Sequence, residues 1–408
     1  MKLVIIGITD QPHPFFPPDI MTIVRSGEIF SGGKRHHELV RSLLPPQSSW
    51  IDITVPVEAV VEHYRQVDRP IIVFASGDPL FFGFANTLQR LLPEAELQVF
   101  PAFNSLQMLA HRLLLPYHQL RIASLTGRPW PDFDRLLIQG ALQIGVLTDR
   151  HHTPAAIARR MLDYGYSHYT MHIGEHLGNP EQERVTTLTL NQAATTAFTL
   201  PNCVILSADA NHSAPYPFGI PDSAFSTLDG RAKMITKMPI RLLTLQSLDL
   251  QNSHVLWDIG ACTGSVSIEA RLLFPHLHIE AFEIRPECED IIRHNARRLG
   301  APGIQLHIGD FLAIPEETLL GLPQPDAVFI GGHGGRLHEI MAKVVGVLTP
   351  GGSIVMNSVK APRVLRDSHQ LWDETCHDLA LKQHPTTRIV LNDYHPIEIL
   401  KASTASTH

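Results

Sequence analysis

The stretch HVLWDIGACTGSVS, residues 254–267, decides the fold of this 408-residue chain. Its first half is an apolar run ending in Asp258 and Ile259, which reads as a buried strand. Gly260 and Gly264 follow, and a helix is expected to begin near Thr263. A strand leading through a glycine turn into a helix is the opening unit of a doubly wound α/β sheet, whose ligands bind beyond the carboxyl ends of its strands. Glycine lacks a Cβ, so Gly260 permits a tight turn and Gly264 lets a ligand approach the backbone. The helix start offers unpaired N–H groups. Asp258 can accept from a cationic or N–H donor. A dinucleotide site requires G-x-G-x-x-G. Here Cys262 stands at the second glycine, which disfavours a pyrophosphate and therefore NAD.

Outward from this stretch, strands are expected at 254–259, 278–282, 305–308, 327–330 and 353–356, alternating with helices. Two further strands, 388–391 and 397–400, close the chain without a long helix between them. That order matches a doubly wound parallel sheet with an antiparallel edge. Glu283 ends the second strand, where a carboxylate can take both hydroxyls of a ribose. Asp310 ends the third, where it can face an adenine amino group. Three acids and two glycines on successive strand ends point to an adenosyl ligand, S-adenosylmethionine. The fourth strand runs into DAVFIGGHGG, residues 326–335, whose glycines imply a close ligand or unusual dihedrals. His333 in that loop is either a solvated turn residue or a substrate contact.

Toward the N terminus, strands are expected at 3–6, 50–53, 70–74, 97–100, 143–147 and 168–173, with helices such as 79–92 and 154–164. The Pro- and Gly-rich stretch ADANHSAPYPFGIP, 208–221, separates the halves. The expected organisation is an α/β domain over 1–208, a linker over 209–221 and a second α/β domain over 222–408. Residues 402–408 are small and polar and are expected to fray.

The net charge of −7 disfavours the broad basic face of a nucleic-acid-binding protein. No stretch approaches the ~20 apolar residues of a membrane helix, and no secretory signal is recognisable, so a cytoplasmic protein is expected. The four cysteines form no CxxC pair, and the 24 histidines form no HExxH pattern, so no metal site is indicated. No G-x-S-x-G is present, and no catalytic residue is assigned.

At this point a resemblance covers essentially the whole chain. Residues 219–264, with GGHGG and LTPGGSIVMNSV, resemble the C-terminal domain of the decarboxylating precorrin methyltransferases of cobalamin biosynthesis. SGGKRHHELV (31–40), ASGDPLFFGFANTLQRLLP (75–93), PAFNSLQMLAHRL (101–113), SLTGRP (124–129), LTDRHHTPAAIARRML (147–162) and GEHLGNPEQER (174–184) resemble their tetrapyrrole methylase domain. The resemblance implies a two-lobe tetrapyrrole-methylase-like α/β domain fused to a Rossmann-like class I methyltransferase domain. It implies methylation of meso carbons 5 and 15 and decarboxylation of an acetate side chain, giving precorrin-8X. An alternative stays open, in which only the C-terminal half is catalytic and the N-terminal half is a tetrapyrrole-binding module.

Gly77, Asp78 and Pro79 are implied cofactor contacts, although Asp78 can equally be a plain helix cap with Pro79 at the first helical position. Ser105 carries the same two readings. Lys34, Arg35, His36 and His37 form a basic run, either a solvated face or a seat for a polycarboxylate. Arg35 and His36 are accordingly candidate substrate contacts. Lys237 and Arg241 survive in a segment, residues 236–241, that is TKREVR-like in the family. They are the other substrate candidates, with His333. The usual G-x-G-P opening is replaced by Ile8-Thr9-Asp10-Gln11-Pro12. The expected partners are a small tetrapyrrole and further copies of the chain, with no nucleic acid and no membrane.

Overall fold

The fold is that of a computed structural model describing residues 1–209, 218–229, 231, 234–359, 368–390 and 397–404. Two compact units form. The first is built from 1–129, 141–162 and 167–209, and the second from 130–140, 163–166 and the described residues from 218 onward. Of the expected linker, 210–217 lie outside the described residues.

The first unit holds two sheets. Strands β1 (Lys2–Ile8), β2 (Ile29–Gly32), β3 (Ser49–Asp52), β4 (Ile71–Ser76) and β5 (Glu96–Phe100) pair in the order β3-β2-β4-β1-β5, all parallel. The near-continuous apolar sequences of β1 and β4 follow from burial on both faces. Leu3, Ile5, Ile71 and Val73 pack on one side, and Val4, Ile6, Ile72 and Phe74 on the other. The register Ile8↔Ser76 brings the loop after β1 beside the loop after β4. Strands β6 (Arg121–Ser124), β7 (Gln143–Leu147), β8 (Tyr169–Glu175), β9 (Arg184–Thr189) and β10 (Asn202–Ala208) form a mixed sheet, β6-β7-β10-β8-β9.

In the second unit, β11 (Val255–Ile259), β12 (His278–Glu283), β13 (Ile304–Ile308), β14 (Ala327–Ile330) and β15 (Ser353–Val359) are parallel, in the order β13-β12-β11-β14-β15. Strands β16 (Lys382–Gln383), β17 (Thr387–Ile389) and β18 (Ile397–Ser403) add an antiparallel edge, with β18 beside β15. The doubly wound sheet is therefore present as expected. Its two faces are again both buried, Trp257, Val328 and Ile330 on one and Leu256, Ala327 and Phe329 on the other.

The structure corrects several sequence expectations. The helix expected over 79–92 is Phe84–Leu91, preceded by a turn. Ala402 and Ser403 belong to β18, and Ala402 is fully buried, because β18 needs them to pair with β15. Among the described residues, no helix is long and apolar enough to cross a membrane.

Candidate functional site

The strand order reverses between β11 and β14, which places a crevice beyond their carboxyl ends. A cavity of about 740 Å³ lies there, lined by residues from every one of these strand ends. Asp258, Gly260, Glu283, Asp310, Lys237 and His333 all line it. Gly264 and Arg241 do not.

Asp258 is 1% exposed. Its Oδ2 accepts from Ser267 N (3.2 Å) and Ser267 Oγ (2.5 Å), pinning the start of the helix Ser265–Leu273 to the strand. Its Oδ1 is buried and has no partner among the described residues. Burial pushes this carboxyl up to about 6, against the Ser267 hydrogen bonds. Glu283 is equally buried. Cys262 N donates to its Oε2 (2.7 Å), and Arg285 binds it through backbone N (3.0 Å) and guanidinium (2.8 Å). Asp310 caps a turn through Leu312 N (3.0 Å) and pairs with both terminal nitrogens of Arg336, at 3.0 and 3.1 Å. The Arg336 hydrogen bonds hold the Asp310 carboxyl below the usual range. Sequence reasoning missed both arginines, although Arg285 lies two residues after Glu283 and Arg336 directly follows the glycine loop.

The glycines act differently from expectation. A Cβ on Gly260 would sit 2.9 Å from Gly332 N, and one on Gly331 2.8 Å from Gly260 O. The close approach is thus between two loops. Gly264, with φ of +74°, caps the helix and faces Ile292 on the helix Cys288–Arg298. Gly334 and Gly335 do have positive φ. Cys262 adopts φ of +53° and keeps the left-handed shape that glycine adopts easily.

Arg241 requires the plainest correction. It is fully buried. It pairs with buried Glu269, reaches the carbonyls of Thr236 (2.7 Å) and Ile220, and lies 4.9 Å from the Phe225 ring centre. A charged group so engaged is structural. Lys237, the N-cap of the helix Met238–Ser247, lines the cavity and holds its ammonium 3.5 Å from Asp222 Oδ2. His333 accepts from Gly335 N (3.2 Å), and burial lowers its pKa.

This cavity fits S-adenosylmethionine. Asp258 and Thr263 line it, and among the described residues Asp258 Oδ1 and the Thr263 hydroxyl are buried without a partner. An acceptor beside a hydroxyl suits the amino and carboxylate groups of a methionine end, and the volume suits a small ligand. Among the described residues, no group of three or more His, Cys, Asp or Glu is placed to hold a metal ion.

The first unit has its own cavity, about 500 Å³, where β1 and β4 end. Gly77, Asp78, Ser105, Arg35 and His36 line it and Pro79 does not. Gly77 has φ of +60°, and Asp78 closes a turn by accepting from Leu80 N (2.9 Å) instead of capping a helix. Ser105 begins the helix Ser105–Leu113, capped by Asn104. The loop after β1 contributes Asp10, whose carboxylate meets Arg35 (2.7 Å) and His176 (3.1 Å). Ser76 Oγ lies 3.0 Å from Arg35 and 2.9 Å from His36. Burial, then the Arg35 charge, lowers the His36 imidazole to about 4. His36 is therefore neutral near pH 7, and His37 stacks on Trp50. The expected basic run does not act as one cationic patch.

With this geometry established, comparisons give the chain its relatives. A family described as "Precorrin methyltransferase domain" matches residues 227–383, and one described as "Tetrapyrrole (Corrin/Porphyrin) Methylases" matches 20–194. The chain is 32% identical over 373 residues to the precorrin-6Y C(5,15)-methyltransferase (decarboxylating) of Sinorhizobium sp, covering 90% of this chain and 87% of that one. It is 38% identical over 132 residues to the cobalt-precorrin-6B C(15)-methyltransferase (decarboxylating) of Salmonella typhimurium, covering 32% of this chain and 66% of that one. A crystal structure of a precorrin-6y C5,15-methyltransferase from Geobacter metallireducens covers 47% of this chain and 100% of that chain, at 35% identity and a TM-score of 0.40.

Proposed function

The chain belongs to the family of decarboxylating precorrin-6Y C(5,15)-methyltransferases, which use S-adenosylmethionine in cobalamin biosynthesis, and from that premise we propose that each unit transfers one methyl group. In this reading the protein methylates meso carbons 5 and 15 of precorrin-6B and removes carbon dioxide from an acetate side chain, giving precorrin-8X. One methylation and the decarboxylation belong to the second unit. The observation that carries the reading is a pair of separate cavities, one per unit, each at the ends of parallel strands beside a glycine turn.

S-adenosylmethionine, when bound, supplies a methyl group made electrophilic by its sulfonium. The residues present have a simpler task. Asp258 and Thr263 orient the amino-acid end. Glu283 and Asp310, each steadied by an arginine, face the ribose and adenine. Ile240, Phe329 and Ile340 make part of the wall apolar and limit water. A meso carbon of a reduced tetrapyrrole is an enamine-like nucleophile, so alignment supplies most of the catalysis. Loss of carbon dioxide leaves an electron pair that the protonated ring system accepts. No protein nucleophile is needed for either step. In the first unit, Gly77, Asp78 and Ser105 are the proposed cofactor contacts and Arg35 the proposed cationic contact to substrate.

One observation favours the second reading, a first unit that binds tetrapyrrole without catalysis. Asp10, in the loop that is glycine-rich in the family, accepts from Arg35, which also donates to Ser76, so a charged side chain stands where a glycine loop offers only backbone. Equilibrium dialysis of the whole chain with labelled S-adenosylhomocysteine tests the choice. Two bound per chain are expected, and one per chain supports the second reading. The protein is further proposed to be a cytoplasmic homo-oligomer with no nucleic-acid or membrane partner, in keeping with its net charge of −7. Light scattering in solution checks the assembly.

A further inference from the structure

The two sides of the second unit's cavity differ in chemistry. The order β13-β12-β11-β14-β15 spreads the strand ends across it. Glu283 and Asp310, from the ends of β12 and β13, make one side acceptor-rich. Asn357, near the end of β15, lines the opposite side. The Asn357 Oδ1 lies 3.0 Å from Thr244 Oγ1. That hydroxyl also reaches Ile240 O at 2.8 Å, so its one hydrogen is shared between two acceptors. Among the described residues, Asn357 Nδ2 is buried and has no partner. A buried amide nitrogen without an acceptor is costly, and because Asn357 lines the cavity a ligand acceptor would satisfy it. Lys237 also lines the cavity, with its ammonium 3.5 Å from Asp222 Oδ2. An amide donor and an ammonium together match a carboxylate, whereas the acids across the cavity match the hydroxyl and amino groups of an adenosine.

On the reading that this cavity methylates a carboxylate-bearing tetrapyrrole, we propose that Asn357 is a substrate-binding residue. Its Nδ2 donates to a carboxylate of the tetrapyrrole, Lys237 supplies the countercharge, and Thr244 is the positioning residue that fixes the amide's orientation.

Asn357→Asp in the full chain removes both donors, keeps the acceptor and adds a negative charge. Steady-state kinetics should give a KM for the tetrapyrrole raised about tenfold or more, the loss of one charge-assisted hydrogen bond. The dissociation constant for S-adenosylhomocysteine should stay unchanged. Asn357→Gln should recover part of the KM, and Thr244→Val should give an intermediate rise. Asn357→Ser, which adds no charge, should show the same split should the aspartate variant fail to fold. An unchanged KM in folded Asn357→Asp, or an equal loss of affinity for S-adenosylhomocysteine, overturns the assignment. A wild-type chain that methylates no tetrapyrrole overturns the functional reading itself, before any variant is compared.

Discussion

At Asp258 the requirements of stability and of binding oppose each other. Its carboxyl is buried, and its folded pKa of about 6 lies above the ordinary value of 3.8. As pH rises, the unfolded chain therefore releases this proton first. The native state loses stability between about pH 4 and pH 6 and recovers none above that. A shift of this size corresponds to about 3 kcal/mol. Asp258→Asn should remove the cost, because an amide carries no charge to desolvate and can still accept from Ser267. The variant's second unit should unfold at a higher temperature at neutral pH and show no gain below pH 4. Its affinity for S-adenosylmethionine should fall, since a donor then stands where Oδ1 offered an acceptor. Calorimetry at both pH values, with and without ligand, checks the sign. A variant no more stable than wild type at neutral pH would contradict it. Cys262 offers a smaller test. Its φ of +53° is strained for a side chain, so Cys262→Gly should stabilise the loop or leave it unchanged, read as the unfolding midpoint.

Among elements, the decisive contact joins the glycine turn after β11 to the loop after β14. Gly260→Ala would add a Cβ 2.9 Å from Gly332 N at φ of +82°, whereas a Cβ on Gly332 meets nothing within 4 Å among the described residues. Gly260→Ala should therefore cost about 1–3 kcal/mol of stability and weaken cofactor binding. Gly332→Ala should be nearly neutral for both. Equal effects in thermal unfolding would mean that the loops do not pack as described. Most of the parallel strands were legible in the sequence because burial on both faces makes them apolar runs, but β2 was not, since only Ile29 and Phe30 of its IFSG are apolar. The expected 143–147 and 327–330 coincide with β7 and β14. The edge strands β6 and β9 were not legible, since RIAS and RVTTLT leave residues exposed and carry little apolar signal. Strand β10 was missed despite its apolar CVIL, next to the Pro-rich stretch read as a boundary. At the site, the acids at strand ends could be read from spacing. Their arginine partners could not, because Asp310 and Arg336 are 26 residues apart and meet only in the folded sheet. Arg241 misled for the opposite reason, since a lone arginine in a motif gives no sign of whether Glu269 will bury it.

For the whole molecule, the central claim is a division of labour, with one methyl transfer per unit and carbon dioxide lost in the second. Each cavity contains a glycine at which a large side chain can be added without straining the backbone. Among the described residues, a Cβ on Gly332 meets nothing within 4 Å, and one on Gly33, with φ of −69°, meets only His36 Nδ1 at 3.7 Å. Both line their cavities. Gly332→Trp and Gly33→Trp should each obstruct one site and leave the other working. The most direct measurement is the mass of the tetrapyrrole product formed by each full-length variant from precorrin-6B and S-adenosylmethionine. Gly33→Trp should give a product that has gained one methyl group and lost carbon dioxide. Gly332→Trp should give one that has gained a methyl group and kept every carboxylate. Loss of carbon dioxide by Gly332→Trp, or two methyl groups added by either variant, would contradict the division.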